Sequence, residues 1–244
     1  MRIRTLVLLT FILAQAAFAQ EFWEKKPYTE WSKPETEKIL QDSPWAQHIT
    51  LSHLNSNLSG IRTSSRGVTG VGTVGQNIEA EHAQNPTLIY TAQLRSARPV
   101  REAVVRQRQL QDGYDSMSPA QRAVLDAKTN AYLAQPQDEI VVYVAYTSSV
   151  NSYVDLMRRY WTQQTYDLLK NTVFLSIGRE RLSPTGYATT NGAFQFNFPR
   201  PAQMPNNGSM VLEFQHPSVG VIAPEHVLIE FKLNKLAFGG APAI

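Results

Sequence analysis

Asn191-Gly192-Ala193-Phe194-Gln195-Phe196-Asn197-Phe198-Pro199 is the stretch on which the fold turns. Phenylalanine recurs at every second position with an amide side chain between, which is the period of a strand with one buried face. Asn191-Gly192 ahead of it is a tight-turn dipeptide, suited to the positive φ angles of a short hairpin. Pro199, Pro201 and Pro205 behind it withhold backbone donors and force an exposed connection. Strands are also expected over residues 173–177, 210–214 and 227–238, so the chain is β-rich from Val173 onward.

Upstream the pattern mixes. Gln47 to Leu54 reads as a first strand, and Leu88, Tyr90, Ala92 and Leu94 alternate with polar neighbours as a second. Ile140 to Tyr146 is continuously apolar and predicts a strand buried on both faces. Between these lie two helical segments. One spans about 100–111 and is ended by Gly113. The other opens at the Ser118-Pro119-Ala120-Gln121 capping box and runs to about Leu133. Its expected inner face holds Val124, Ala127 and Ala131, with Leu125 and Tyr132 beside them. Val150, Val154, Met157, Trp161 and Leu168 keep helical spacing, predicting one amphipathic helix of about five turns. No repeat of fixed period is present. The expectation is one α+β domain over residues 47–244. It has a β-sheet or β-sandwich core and an inserted helical pair near residues 97–135.

Residues 1–19 carry the three-part pattern of a secretory signal peptide: Arg2 and Arg4, an apolar run from Thr5 to Ala16, and the small-x-small site Ala17-Phe18-Ala19. That run is shorter than the ~20 residues of a spanning helix. Export to a periplasm or the extracellular space, with cleavage near Ala19, is the expected address. Residues 20–46 then form a Trp-rich helical strap. Ser32-Lys33-Pro34-Glu35 is a capping box, Ser43-Pro44 stops the helix, and Trp23, Trp31 and Trp45 surround it. The segment Phe22 to Ala46 resembles the opening of a group of uncharacterised exported bacterial proteins. The resemblance rests on Trp31, Ile39, Leu40 and the Ser43-Pro44-Trp45 exit. Phe231 to Gly240 is similar to the terminal strand of that group, whereas Ala241-Pro242-Ala243-Ile244 lacks the charged tail expected there. The resemblance implies an envelope address and an architecture, with no activity and no catalytic residue.

Composition narrows the chemistry. There are 23 basic and 20 acidic residues, and without Arg2 and Arg4 the balance is 21 against 20, so nucleic acid is not an expected partner. No cysteine is present, which excludes a disulfide framework, thiolate metal ligands, thiol nucleophiles and lipid attachment through cysteine. Gly70-Val71-Gly72-Thr73-Val74-Gly75 matches G-x-G-x-x-G literally, but no strand precedes it and no helix pattern follows, so it reads as a glycine loop and no cofactor is expected. No two of His48, His53, His82, His216 and His226 stand at i,i+4, and the neighbours Glu79, Glu81 and His82 read as solvated, so no metal is expected. Neither G-x-S-x-G nor S-x-x-K occurs, and the carboxylates Asp112/Asp115 and Asp138/Glu139 read as turn and strand-start clusters. No catalytic residue is assigned.

Two features remain. Arg95, Arg98, Arg101, Arg106 and Arg108 form the local basic cluster. Arg98, Arg101 and Arg108 fall on one side of a helix, either as a solvated face or as a site for an anionic polymer or acidic partner. Tyr153, Tyr160, Trp161 and Tyr166 form an aromatic stripe, read as core plus interface. The tryptophan segment is either a docking strap or a partner-binding arm. The candidate partner-binding residues are therefore Trp23, Trp31, Trp45, Arg98, Arg101 and Arg108. The leading expectation is a non-enzymatic exported module that binds an envelope protein or an anionic polymer. The rivals are a periplasmic hydrolase with a deep site assembled in three dimensions, and a small-ligand carrier with an apolar cavity between sheet and helices.

Overall fold

The computed structural model describes residues 21–52 and 86–244. The signal pattern, His53, the glycine run and the Glu79/Glu81/His82 group lie outside the described residues. Among the described residues no helix is long and apolar enough to cross a membrane.

The chain opens with α1 (Phe22–Lys25) and α2 (Lys33–Gln41), then β1 (Ala46–Ser52) and β2 (Thr87–Leu94). The inserted pair follows as α3 (Arg98–Gln111) and α4 (Pro119–Ala134). Next come β3 (Glu139–Ser148), α5 (Asn151–Gln163) and α6 (Tyr166–Leu169). The remainder is β4 (Phe174–Ile177), β5 (Glu180–Leu182), β6 (Gly186–Thr190), β7 (Ala193–Pro199), β8 (Ser209–His216), β9 (Glu225–Lys232) and the short pair β10 (Ala237–Phe238) and β11 (Ala241–Pro242). The strands form a five-stranded sheet, β1-β2-β3-β7-β6, and a four-stranded sheet, β5-β4-β8-β9. All their pairings are antiparallel. The fold is α+β with a β-sandwich-like core.

Register explains the core. Tyr90 faces Tyr146, Ala92 faces Val144, and Val144 in turn faces Phe194, so one face of the larger sheet gathers the buried side chains. The smaller sheet answers with Leu175, Leu212, Phe214, Ile229 and Phe231, all buried. Rings meet across the gap: Tyr90 and Phe214 at 5.1 Å, Phe194 and Phe214 at 5.6 Å, both edge to face. Trp161, from α5, stacks on Phe194 at 3.8 Å and shares this core.

The strap docks onto the same body. Trp23, Trp31 and Trp45 are 7 %, 0 % and 0 % exposed. Trp23 meets Trp45 edge to face at 5.6 Å, and Trp45 meets Phe238 at 6.2 Å. At the start of α2 the Glu35 carboxylate accepts the Ser32 N–H at 2.8 Å, the capping box expected there. The Ser43 hydroxyl donates to the Ile39 carbonyl at the other end.

Three expectations are corrected. β3 is not buried on both faces: Ile140, Val142, Val144 and Tyr146 are buried, whereas Val141, Tyr143 and Ala145 are half-exposed on the outer face. The long helix breaks at Gln164-Thr165, both extended, into α5 and α6. The Trp161 carbonyl accepts the Tyr187 hydroxyl at 2.6 Å and the Gln164 N–H at 3.2 Å, so it does not carry a continuing helix. The inner face of α4 is also displaced. Val124 is 61 % exposed and Ala127 and Ala131 are exposed, while Thr129 is buried and Leu125, Asp126 and Leu133 are half-buried. Polar contacts set this rotation, because the Tyr114 hydroxyl donates to Asp126 and Arg122 donates to the Met117 carbonyl.

Two substitutions test this placement in denaturant unfolding. Trp31→Ala is expected to cost about 3–5 kcal/mol, as for a buried large aromatic. Val124→Ser is expected to change stability by less than about 0.5 kcal/mol, as for an exposed site.

Candidate functional site

The arginine cluster separates into distinct fates. Ala97 precedes α3, and Pro99 sits in its first turn, where a missing N–H costs nothing. The helix then aims its arginines in different directions. Arg106 is buried: its Nε donates to the Trp31 carbonyl at 2.8 Å, and both terminal nitrogens bind Asp115 at 3.0 Å. This hydrogen-bonded pair lowers the Asp115 carboxyl below its usual range. Arg106 thereby ties the strap to the inserted pair. Arg108 lies on the surface, paired with Asp112.

Arg101 is 4 % exposed, which corrects its placement on a solvated face with Arg98 and Arg108. It donates to the carbonyls of Tyr132, Leu133 and Gln135, where α4 ends and the last acceptors of a helix need donors. Its guanidinium also lies 4.7 Å from the Tyr132 ring centre. Arg98 is exposed and its Nε binds Glu102 at 2.8 Å. Burial raises the Glu102 carboxyl above its ordinary range, and Arg98 opposes that shift.

Arg200 joins from the end of β7, the strand beside β3. β7 ends at Pro199, and Arg200 turns back to donate through Nε to the Gln137 carbonyl at 2.7 Å and through Nη1 to the Ile244 oxygen. Ser96, Arg98, Arg101, Gln137, Arg200 and residues 242–244 surround a solvent-open recess of about 330 Å³. Beside it Arg95 lies 4.3 Å over the Tyr143 ring. Burial lowers both Arg95 and Arg200 from the usual guanidinium value. At this end of the sandwich four guanidiniums, Arg95, Arg98, Arg101 and Arg200, stand with the carboxylates Glu102 and Asp138. Arg101 Nε and Arg200 Nη2 are buried and meet no acceptor among the described residues. An unanswered buried donor of this kind costs about 1–3 kcal/mol.

The other candidates are scattered. Trp23, Trp31 and Trp45 have their rings in the core. The tyrosine stripe divides: Trp161 is core, Tyr160 is half-buried, Tyr166 is exposed, and the Tyr153 hydroxyl accepts the Val221 N–H. An uncharged recess of about 300 Å³ lies beside Tyr160, Gln164, Leu168 and Gln215. Asp112 and Asp115 each answer an arginine, and Glu139 accepts the Thr185 hydroxyl and the Asn197 amide. Among the described residues no group of three or more potential ligands is positioned for a metal.

Sequence reasoning missed Arg200 and the Tyr90–His216 pair. The pair sits inside the sandwich, with the Tyr90 hydroxyl 2.8 Å from His216 Nδ1 and His216 at 0 % exposure. Burial raises Tyr90 well above, and drives His216 down to about 4 from, their ordinary values. The imidazole is therefore neutral at pH 7, and its Nε2 has no hydrogen-bond partner among the described residues. Neither residue carried a local signal, because their pairing depends on two sheets facing each other.

No protein family, curated protein or solved structure matches the chain.

His216 makes a pH prediction. Its folded pKa lies below the unfolded value of 6.5, so between pH 6.5 and about 4 the unfolded state binds more protons and stability falls with falling pH. The loss over that window is on the order of 3 kcal/mol. Denaturant unfolding at several pH values is expected to show this slope in the wild type and a flatter one in His216→Gln.

Proposed function

We propose that the protein is an exported cell-envelope binding module that holds an anionic polymer at the arginine end of its sandwich. The carrying observation is the convergence on one recess of Arg98 and Arg101 from α3 with Arg200 from the end of β7. Opposite charge on a partner is drawn to such a surface, and the attraction weakens with salt. The signal pattern of residues 1–19 supports the address, and the resemblance of the strap segment to exported bacterial proteins agrees with it.

The test is binding of the purified protein to an immobilised acidic polymer, with polyglutamate and polyphosphate as probes and a neutral polysaccharide as control. Binding to at least one acidic probe is expected at low salt, weakened by 0.5 M salt on the order of tenfold. The double variant Arg98→Ala/Arg200→Ala is expected to weaken it by about fivefold or more. Equal binding to the neutral polymer, or full binding by the double variant, contradicts the reading. Crosslinking in intact cells that captures only a protein at the α3 surface also contradicts it.

A further inference from the structure

We infer that the recess beside Ser96, Arg98, Arg101 and Arg200 is a seat for a single oxyanion group, a carboxylate or a phosphate, of the ligand. This rests on the reading that the ligand is anionic, and it goes further by naming the group held and the nitrogens that hold it.

The molecule supplies its own comparison. Arg106 is a finished structural arginine: Nε is on a carbonyl, and both terminal nitrogens are on one carboxylate in the two-pronged geometry a guanidinium favours. Arg101 and Arg200 are unfinished. Arg101 uses Nη1 and Nη2 on the carbonyls at the end of α4, and Nε is left bare. Arg200 uses Nε on Gln137 and Nη1 on Ile244, and Nη2 is left bare. Both bare nitrogens belong to side chains that line the same recess. Arg98 is fixed by Nε on Glu102.

These donors share a requirement. Each is an N–H that needs an oxygen, and Glu102 beside Arg98 and Arg101 and Asp138 beside Arg200 answer the positive charge here only in part. A water supplies an acceptor but no charge. An oxyanion supplies both, and its several oxygens can answer more than one guanidinium at once. The arginines are held in place by bonds already made, so little side-chain freedom is lost on binding. The two bare nitrogens are buried, so the lining of the recess has to yield slightly as the group enters.

Calorimetric titration of the purified protein with inorganic phosphate and, separately, with acetate tests the seat, with chloride holding ionic strength constant. A saturable single site is expected for at least one anion. Phosphate alone names a phosphate group on the ligand, acetate alone names a carboxylate, and both together fit the shared chemistry. Arg200→Gln is expected to weaken binding about tenfold. Arg98→Gln, a change at an exposed position, is expected to weaken it about threefold and serves if the Arg200 variant fails to fold. If neither anion binds while acidic polymer is still held, the seat is wrong and the polymer reading stands. Loss of both in the wild type overturns both. Undiminished affinity in folded Arg200→Gln overturns the seat.

Discussion

Phe194 is where the molecule closes. Trp161 stacks on it, Phe214 reaches it from the opposing sheet, and Tyr90, Tyr146 and Phe196 surround it. These rings come from four strands and a helix, so their packing fixes the two sheets and α5 relative to one another. The chain has no cysteine, and no covalent tie replaces this packing. Apolar burial is proportional to area, and a cluster of large rings concentrates much of it in one place.

The remaining elements are arranged by what that closure leaves open. The strap adds Trp23, Trp31 and Trp45 to the core, and Arg106 clamps the Trp31 carbonyl to Asp115 beyond α3. Arg101 terminates α4, and Arg200 joins the end of β7 to Gln137 and Ile244. The arginine end is thus a seam between the helical pair and the sheet, built with guanidiniums where the backbone leaves unpaired carbonyls. Such a seam does two things at once. Carbonyls satisfy part of Arg101 and Arg200 without neutralising their charge, and Glu102 and Asp138 offset the four guanidiniums only in part, so a structural joint also becomes a positive surface.

Much of this was legible locally. The alternating phenylalanines of β7, the capping boxes at Ser32 and Ser118, and the stop at Gly113 depend on neighbours within a few residues, and the structure places them as expected. The failures involve distant partners. The Tyr187 hydroxyl takes the Trp161 carbonyl from 26 positions away, and no periodicity in residues 150–168 contains that break. The face of α4 is set by Tyr114–Asp126, a polar contact that a hydrophobic pattern does not register. In the site, Arg98 and Arg101 were visible as a cluster, but Arg101 looked solvated because its carbonyl partners lie more than thirty positions later. Arg200 carried no local signal. It reaches the recess only because β7 runs beside β3 and ends next to its start, which brings Arg200 to the Gln137 carbonyl.

The central claim is that the arginine end, rather than the aromatic strap or the tyrosine stripe, meets the ligand. Nitrogen-detected side-chain NMR of the arginine Nε–H groups tests it directly during titration with an acidic polymer. The account predicts that the resonances of Arg98, Arg101 and Arg200 move together while that of Arg106, already fully paired, stays in place. Movement of Arg106 or of the tryptophan indole resonances with the recess arginines unmoved would contradict it.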